Sequence, residues 1–440
     1  MGFPTALSRC ITALVYDPEP YPGHPRRNIL KIFPQRIYMK IPGLRLILPL
    51  LAVVVLAWVW REPLRRQIFK SAILANDAPP NENVADMIDQ AVNPPEALLA
   101  AWHSGKIIQR EVALQELRRR FPATQTLPPP MESLLLAAAL DPDMNVRETA
   151  LGILREHHHP ALTALAAAQL NDPDEQLRLL GLYHLKSATP ATGVPLAAAL
   201  LSDPDLAVRG MSVKLLEQWS GETFGIKLSD TVPVENPTNG LSEFPADGIA
   251  KTEAAAAKAR SWWAVHQKEF PPVKPTVPAD AGLEPLPAGD FELHRLDGKK
   301  VRLTDFRGKV VLINFWTTWC PACVGEMPEL IALQNRHSND LVILGVSLDF
   351  VPDDDGDHPP DPGQIPQTVA RIVKTRGLNY PVFLDEHNEV GGRFNGGELP
   401  TTVLVDARGN VRRRFVGTRS LPVFEAMLAE AGQPPKPAAR

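Results

Sequence analysis

The stretch from Val310 to Trp316 is apolar except for Asn314, with Gly308-Lys309 before it and Thr317-Thr318-Trp319 after it. A short, nearly continuous apolar run rich in β-branched and aromatic residues reads as a strand buried on both faces, as at the centre of a parallel sheet. Directly beyond lies Cys320-Pro321-Ala322-Cys323, followed by Met327, Leu330 and Leu333 at helical spacing. The cysteine pair therefore opens a helix that leaves a central strand, which confines this part of the chain to an α/β layered fold.

That placement carries chemistry. Exposed N–H groups and the dipole at a helix start stabilise a thiolate on the first cysteine, below the free value of about 8.5. Cys320 is thus the candidate nucleophile. Cys323, one turn later and less exposed, is placed to resolve a mixed disulfide by attacking Cys320. Dithiol–disulfide exchange moves two electrons without a cofactor, and none is expected. Zinc, the other use of Cys-x-x-Cys, lacks ligands, because Cys10 is the one further cysteine and no His-x-x-x-His completes a site; no metal is expected.

A second feature is a repeat. Asp141-Pro142-Asp143-x-x-Val146-Arg147, Asp172-Pro173-Asp174-x-x-Leu177-Arg178 and Asp203-Pro204-Asp205-x-x-Val208-Arg209 recur every 31 residues between Ala/Leu-rich stretches such as Leu134–Leu140 and Arg147–Leu154. Asp suits a helix cap and Pro its first turn, so each unit reads as helix, Asp-Pro turn, helix. Arg110 to Leu114 matches Arg147 to Leu151 and suggests a degenerate earlier copy. The pattern resembles short HEAT-like repeats over roughly residues 95 to 220, an all-α array whose elongated surface could hold a protein partner or act as a spacer. The tract His157-His158-His159 reads as a solvated helix end, since three adjacent residues share no helix face. Leu228 to Ala246 lacks periodicity, and Ile249 to Phe270 reads as a capping helix.

Near the N-terminus, Leu46 to Trp60 is free of charge and, counted back to Ile41, is interrupted by Arg45 alone, a length of about 20 residues that can cross a bilayer. Trp58 and Trp60 suit an interface, and Arg26, Arg27, Lys31, Arg36, Lys40 and Arg45 outweigh the positive charge that follows, which places the N-terminus in the cytoplasm and the rest outside it. No cleavage pattern closely follows, so a retained single-pass anchor is expected; Met39 is an alternative start that would remove residues 1–38 and Cys10. The resulting division is a cytoplasmic segment 1–40, an anchor 41–60, a helical repeat domain 82–270, a proline-rich linker 271–288 and an α/β domain 289–440. The 45 prolines, about twice the usual share, gather at such joints. A net charge of -4 with both signs interspersed provides no field for nucleic acid.

Trp319-Cys320-Pro321-Ala322-Cys323 resembles the active site of the thioredoxin superfamily, and in particular its membrane-anchored TlpA/ResA/CcmG-like branch. Around it stand, in order, a leading segment Phe291–Asp305 with a hairpin turn at Asp297-Gly298, a strand Leu341–Leu348, Tyr380–Asp385, Leu399–Asp406 and a turn at Arg408-Gly409-Asn410. The resemblance covers about residues 289 to 432. It implies a thioredoxin-like fold and a disulfide reductase. Pro400 would be the cis-proline facing the disulfide, with Trp319, Pro321, Leu399 and Thr401 around the client, and Glu326 would be the acid beneath the cysteines. The implied partners are oxidised client proteins, as in cytochrome c or copper-site maturation, and a membrane dithiol donor of the DsbD/CcdA type, at the inner membrane facing the periplasm.

The chain also departs from that branch. Leu399 stands where smaller or β-branched residues are usual, and Val351–Pro366 is a long connection with five aspartates, read as a solvated loop. A peroxidase of the same general fold would have proline where Ile313 stands, although Thr317-x-x-Cys320 fits its motif. A copper chaperone would need Cys-x-x-x-Cys. A reading of another class makes the array an adaptor that recruits a client, with the redox domain secondary.

Overall fold

Alanine- and leucine-rich segments with capping aspartates produce paired helices in the first part of the computed structural model, which describes residues 95–432 apart from 105, 232–233, 236–241, 275, 278–284 and 352–360. The expected anchor 41–60, the flanking segment with Met39 and most of the acidic connection lie outside the described residues. Among the described residues no helix is long and apolar enough to cross a membrane.

The first helices are α1 (Pro95–Trp102), α2 (Ile107–Arg120), α3 (Pro129–Ala138), α4 (Met144–Glu156), α5 (Leu162–Ala168), α6 (Glu175–Leu185), α7 (Pro190–Ala198) and α8 (Leu206–Ser220). The repeated motif does three jobs. Its third residue caps a helix: Asp143, Asp174 and Asp205 accept N–H groups of the first turns of α4, α6 and α8 at 2.8–3.1 Å. Its first residue accepts the N–H of the third at 2.9 Å in each copy. Its arginine reaches back to the carbonyl of its own turn and, in the first two copies, forward to the aspartate of the next, as when Arg178 bonds Asp172 O at 2.8 Å and Asp203 at 2.7 and 2.8 Å. Arg110, in the degenerate copy, meets Asp141 in the same way. The period is thus a ladder of buried charge pairs as well as a turn signal.

The histidine tract differs from its reading as a solvated end. His159 pairs with Glu132 at 2.9 Å and the His157 ring meets Phe121 O at 3.0 Å, because the chain turns there with His158 at φ 49 and folds both rings back onto the array. The aperiodic segment holds a short 3-10 turn and a two-stranded pair, β1 (Val234–Glu235) and β2 (Ser242–Glu243). Helix α9 (Ala246–His266) then closes the array, with Trp262 and Trp263 packed near Phe270.

The remainder is an α/β sandwich. Strands β3 (Leu286–Pro287), β4 (Glu292–Arg295), β5 (Lys300–Arg302), β6 (Val310–Trp316), β7 (Leu341–Ser347), β8 (Val382–Leu384), β9 (Thr401–Val405) and β10 (Asn410–Val416) form one sheet in the order β3-β10-β9-β6-β7-β8-β4-β5. Strands β6, β7 and β8 are parallel, and β9 runs antiparallel to β6. Strand β3 lies within the segment read as linker: Leu286 pairs with Val411, so the sheet begins three residues before Gly289. Every residue of β6 is buried. Its Val310, Leu312 and Trp316 face one core and Val311, Ile313 and Phe315 the other, the alternation expected of a strand covered on both sides. Helices α10 (Pro321–Arg336), α11 (Ile365–Arg376), α12 (Glu389–Arg393) and α13 (Leu421–Ala431) complete the layers.

From Leu98 onward, array and sheet form one compact unit. Ile107 of α2 sits in the sheet's second core. Pro142 O accepts the Arg414 N–H at 2.9 Å, so the first Asp-Pro-Asp turn is joined to β10 by the backbone itself.

Candidate active site

Helix α10 starts at the cysteine pair because Pro321 fits its first position and Cys320 fits the cap: the Cys320 Sγ accepts the Cys323 N–H at 3.1 Å. The two are joined as a disulfide, with Cα atoms 5.3 Å apart. Cys323 is 2% exposed and Cys320 only 6%, so in this state the first cysteine is more covered than a helix start suggests. Each sulfur shields the other, and both belong to the core cluster that β6 and α10 share.

The loop before the disulfide is held by an acid that the sequence reading passed over. Asp349 accepts the Thr318 N–H at 2.9 Å and its hydroxyl at 2.6 Å on one oxygen, and the Ser347 hydroxyl at 2.6 Å on the other. Trp319 is half-buried and Pro321 exposed beside the cysteines. The Leu399–Pro400 bond is cis. Pro400 O accepts the Gly417 N–H at 2.8 Å, which ties the loop before β9 to the loop after β10. Leu399 is half-buried. Thr401 is fully buried with its hydroxyl turned to Glu398 O, and β9 sets it in register with Phe315 and Val416, so its side chain does not face a client.

Glu326, three residues beyond Cys323 on the same buried face of α10, is 2% exposed. One oxygen accepts the Arg419 backbone N–H at 2.7 Å and the other the Asn314 amide at 3.2 Å. Burial pushes its carboxyl up to about 7, with Glu329 adding to the rise, against the pull of Arg419 and the Asn314 bond. Asn314 also donates to the Thr402 hydroxyl at 3.2 Å, so the lone polar residue of β6 links α10 to β9. Its interruption of an apolar strand was the visible signal for that role. Burial, with Glu326 nearby, raises the Tyr380 hydroxyl as well.

A buried acid, a disulfide at a helix start and a cis-proline on a central β-sheet define a thioredoxin-like thiol:disulfide oxidoreductase. The AhpC/TSA family profile matches residues 286–414. The thiol-disulfide oxidoreductase ResA of Geobacillus thermodenitrificans is 34% identical over 134 residues, 30% of this chain and 68% of that protein. ResA of Bacillus subtilis is 33% identical over 144 residues, 31% and 72% respectively. A thioredoxin-family thiol:disulfide interchange protein from Chlorobium tepidum is 29% identical over 34% of this chain and 98% of that chain, at a TM-score of 0.29. The chain belongs to the ResA-type thiol-disulfide oxidoreductase family. Each of these matches covers about a third of the chain, and the AhpC/TSA match leaves the helical array outside it.

Proposed function

We propose that this chain is a membrane-anchored, extracytoplasmic reductase of client disulfides, with Cys320 as nucleophile and Cys323 as resolving thiol. The observation that carries the reading is the Cys320–Cys323 disulfide at the start of α10, where Cys320 Sγ accepts a helix N–H. In the reduced protein the same N–H favours a Cys320 thiolate. That thiolate attacks a client disulfide, forming a mixed disulfide and releasing one client thiolate. Cys323 then loses its proton and attacks Cys320 Sγ; the second client thiolate leaves and the Cys320–Cys323 disulfide closes. The client gains two electrons and two protons, and the protein's dithiol supplies the electrons. Glu326, buried one turn beyond Cys323, suits the exchange of the Cys323 proton. The loop turned by the cis Leu399–Pro400 bond offers its backbone to an extended client segment, with Trp319, Pro321 and Leu399 around it.

The anchor at 41–60 rests on its apolar run and flanking charge, and it would place the redox domain in the periplasm near a membrane dithiol donor of the DsbD/CcdA type. Clients such as apocytochrome c or copper-site proteins suit a reductase so placed. The HEAT-like array would carry the domain and could bind a partner. The AhpC/TSA match keeps a peroxidase as the second reading. Turnover of an insulin disulfide by the full chain, lost in Cys320→Ser, tests the first reading; peroxide consumption without disulfide turnover would replace it with the second. An active periplasm-dependent reporter fused after Arg440 tests the location.

A further inference from the structure

The arginine that serves Glu326 is itself held by the helical array. The Arg419 guanidinium, 2% exposed, bonds both oxygens of Asp174, the cap of α6, at 2.9 and 3.1 Å. Glu175 stands 3.9 Å away, the Phe415 ring lies under the guanidinium with its centroid 4.7 Å off, and Val416 O and Thr418 O accept from it at 3.3 and 3.0 Å. The same residue's backbone N–H is the 2.7 Å donor to Glu326. One residue therefore carries the array's anion on its side chain and the redox domain's buried acid on its backbone. Such a bidentate arginine pair fixes direction as well as distance. The groups facing Glu326 are the Arg419 N–H and charge, the Asn314 amide, Glu329 on α10 and Tyr380 before β8. Arg419 is the cation among those that act on it, so what neutralises Arg419 governs the field at Glu326.

We propose that Arg419 is a positioning residue for Glu326 and that Asp174, from the helical array, sets how strongly it acts, so that the array is part of the proton-exchange machinery. This rests on the reading of Glu326 as the proton partner of Cys323. Removing the cation leaves Asp174 and Glu175 unopposed and makes ionised Glu326 costlier. Replacing Asp174 by the isosteric amide keeps an acceptor for the guanidinium but removes the countercharge, which makes ionised Glu326 easier to form. The two changes must push in opposite directions.

The experiment is a pH series of disulfide reduction and of thiol alkylation with the full chain, for Arg419→Gln, Asp174→Asn, Glu326→Gln and Arg413→Gln. Arg413 also joins array to sheet, through Asp172 at 2.8 and 3.0 Å, and makes no bond to Glu326. The expected result is an upward move of the profile by roughly one pH unit for Arg419→Gln and a downward one for Asp174→Asn. Arg413→Gln should leave the profile in place. Moves in the same direction, or a move in Arg413→Gln as large as that in Arg419→Gln, would mean that loosened docking is the cause and would overturn the proposal. A flat response in Glu326→Gln would instead remove the underlying reading of Glu326, whereas a response there with none in Arg419→Gln and Asp174→Asn removes this inference alone. If Arg419→Gln does not fold, the downward move in Asp174→Asn still decides.

Discussion

Arg414 donates from its guanidinium to Asp143 at 2.9 Å, and neither side chain retains any solvent exposure. The pair joins β10 to the cap of α4 across 271 residues of sequence. Arg414 further donates to Phe394 O at 2.6 Å and to Asn395 O, so its donors are spread over the array and the chain leading to the cis-proline. Together with Arg413 on Asp172 and Arg419 on Asp174, it makes the Asp-Pro-Asp turns an acidic socket for three arginines of the redox domain.

Breaking one side of a buried pair strands the other charge, so Arg414→Met should destabilise the protein by about 3–5 kcal/mol. The ion pair of Arg118 with Glu156 is the contrast, because its arginine is 58% exposed. Arg118→Met should cost under about 1 kcal/mol, since water already competes for both partners. Urea midpoints of the two variants against the parent measure the difference, and equal losses would contradict the role of burial.

Close approach of helices gives a second prediction. A Cβ on Gly181 of α6 would lie 2.6 Å from the Ala166 carbonyl of α5, a backbone atom that cannot swing away. Gly181→Ala should therefore destabilise by about 1–3 kcal/mol although alanine is the better helix former. A variant as stable as the parent would show that α5 and α6 can move apart freely.

Much of the redox domain was legible because its signals are local. The apolar run of β6, the Asp297-Gly298 hairpin between β4 and β5, and Gly409 at φ 89 before β10 each show in a few residues. The capping role of Asp143, Asp174 and Asp205 was legible for the same reason. Their second role was not. Arg413, Arg414 and Arg419 meet acids 241 to 271 residues away, and no periodicity within a chain marks which charged face will be buried by another domain. The arginines carried no local mark of burial, and the aspartates showed only as caps and turns. Strand β3 was missed because two residues, one of them proline, show no strand pattern until β10 is there to pair with them.

In the reduced protein, iodoacetamide should label Cys320 several-fold faster than Cys323. Both are nearly covered in the disulfide, so the difference comes from the Cys323 N–H aimed at Cys320 Sγ, which favours the thiolate there, and from the deeper position of Cys323. Mass mapping of singly labelled protein after a short pulse reads the ratio, and equal labelling would remove the assignment of nucleophile and resolving thiol.

The last prediction concerns stability and pH. Glu326 titrates near 4.5 when solvated and, through burial, at about 7 in the folded protein. Its folded value is raised, so between those two values the native state holds a proton that the unfolded chain has released. Stability from this group is therefore complete below about pH 4.5 and is lost as pH rises towards and through 7, after which the curve levels. The gap corresponds to about 3 kcal/mol at most. Glu111, also raised by burial to about 7 with Asp143 adding to the rise, and Asp141, raised by burial to about 6, slope the same way, so the parent's curve alone does not isolate Glu326. The difference between Glu326→Gln and the parent does, since the amide cannot titrate. With the disulfide intact in both, urea unfolding at pH 5 and at pH 8 should show the variant gaining relative to the parent on going to the higher pH, by up to about 3 kcal/mol. Parallel losses in the two proteins would mean that Glu326 carries no proton in this range, and its place beneath the cysteines would then be that of a fixed anion paired with Arg419.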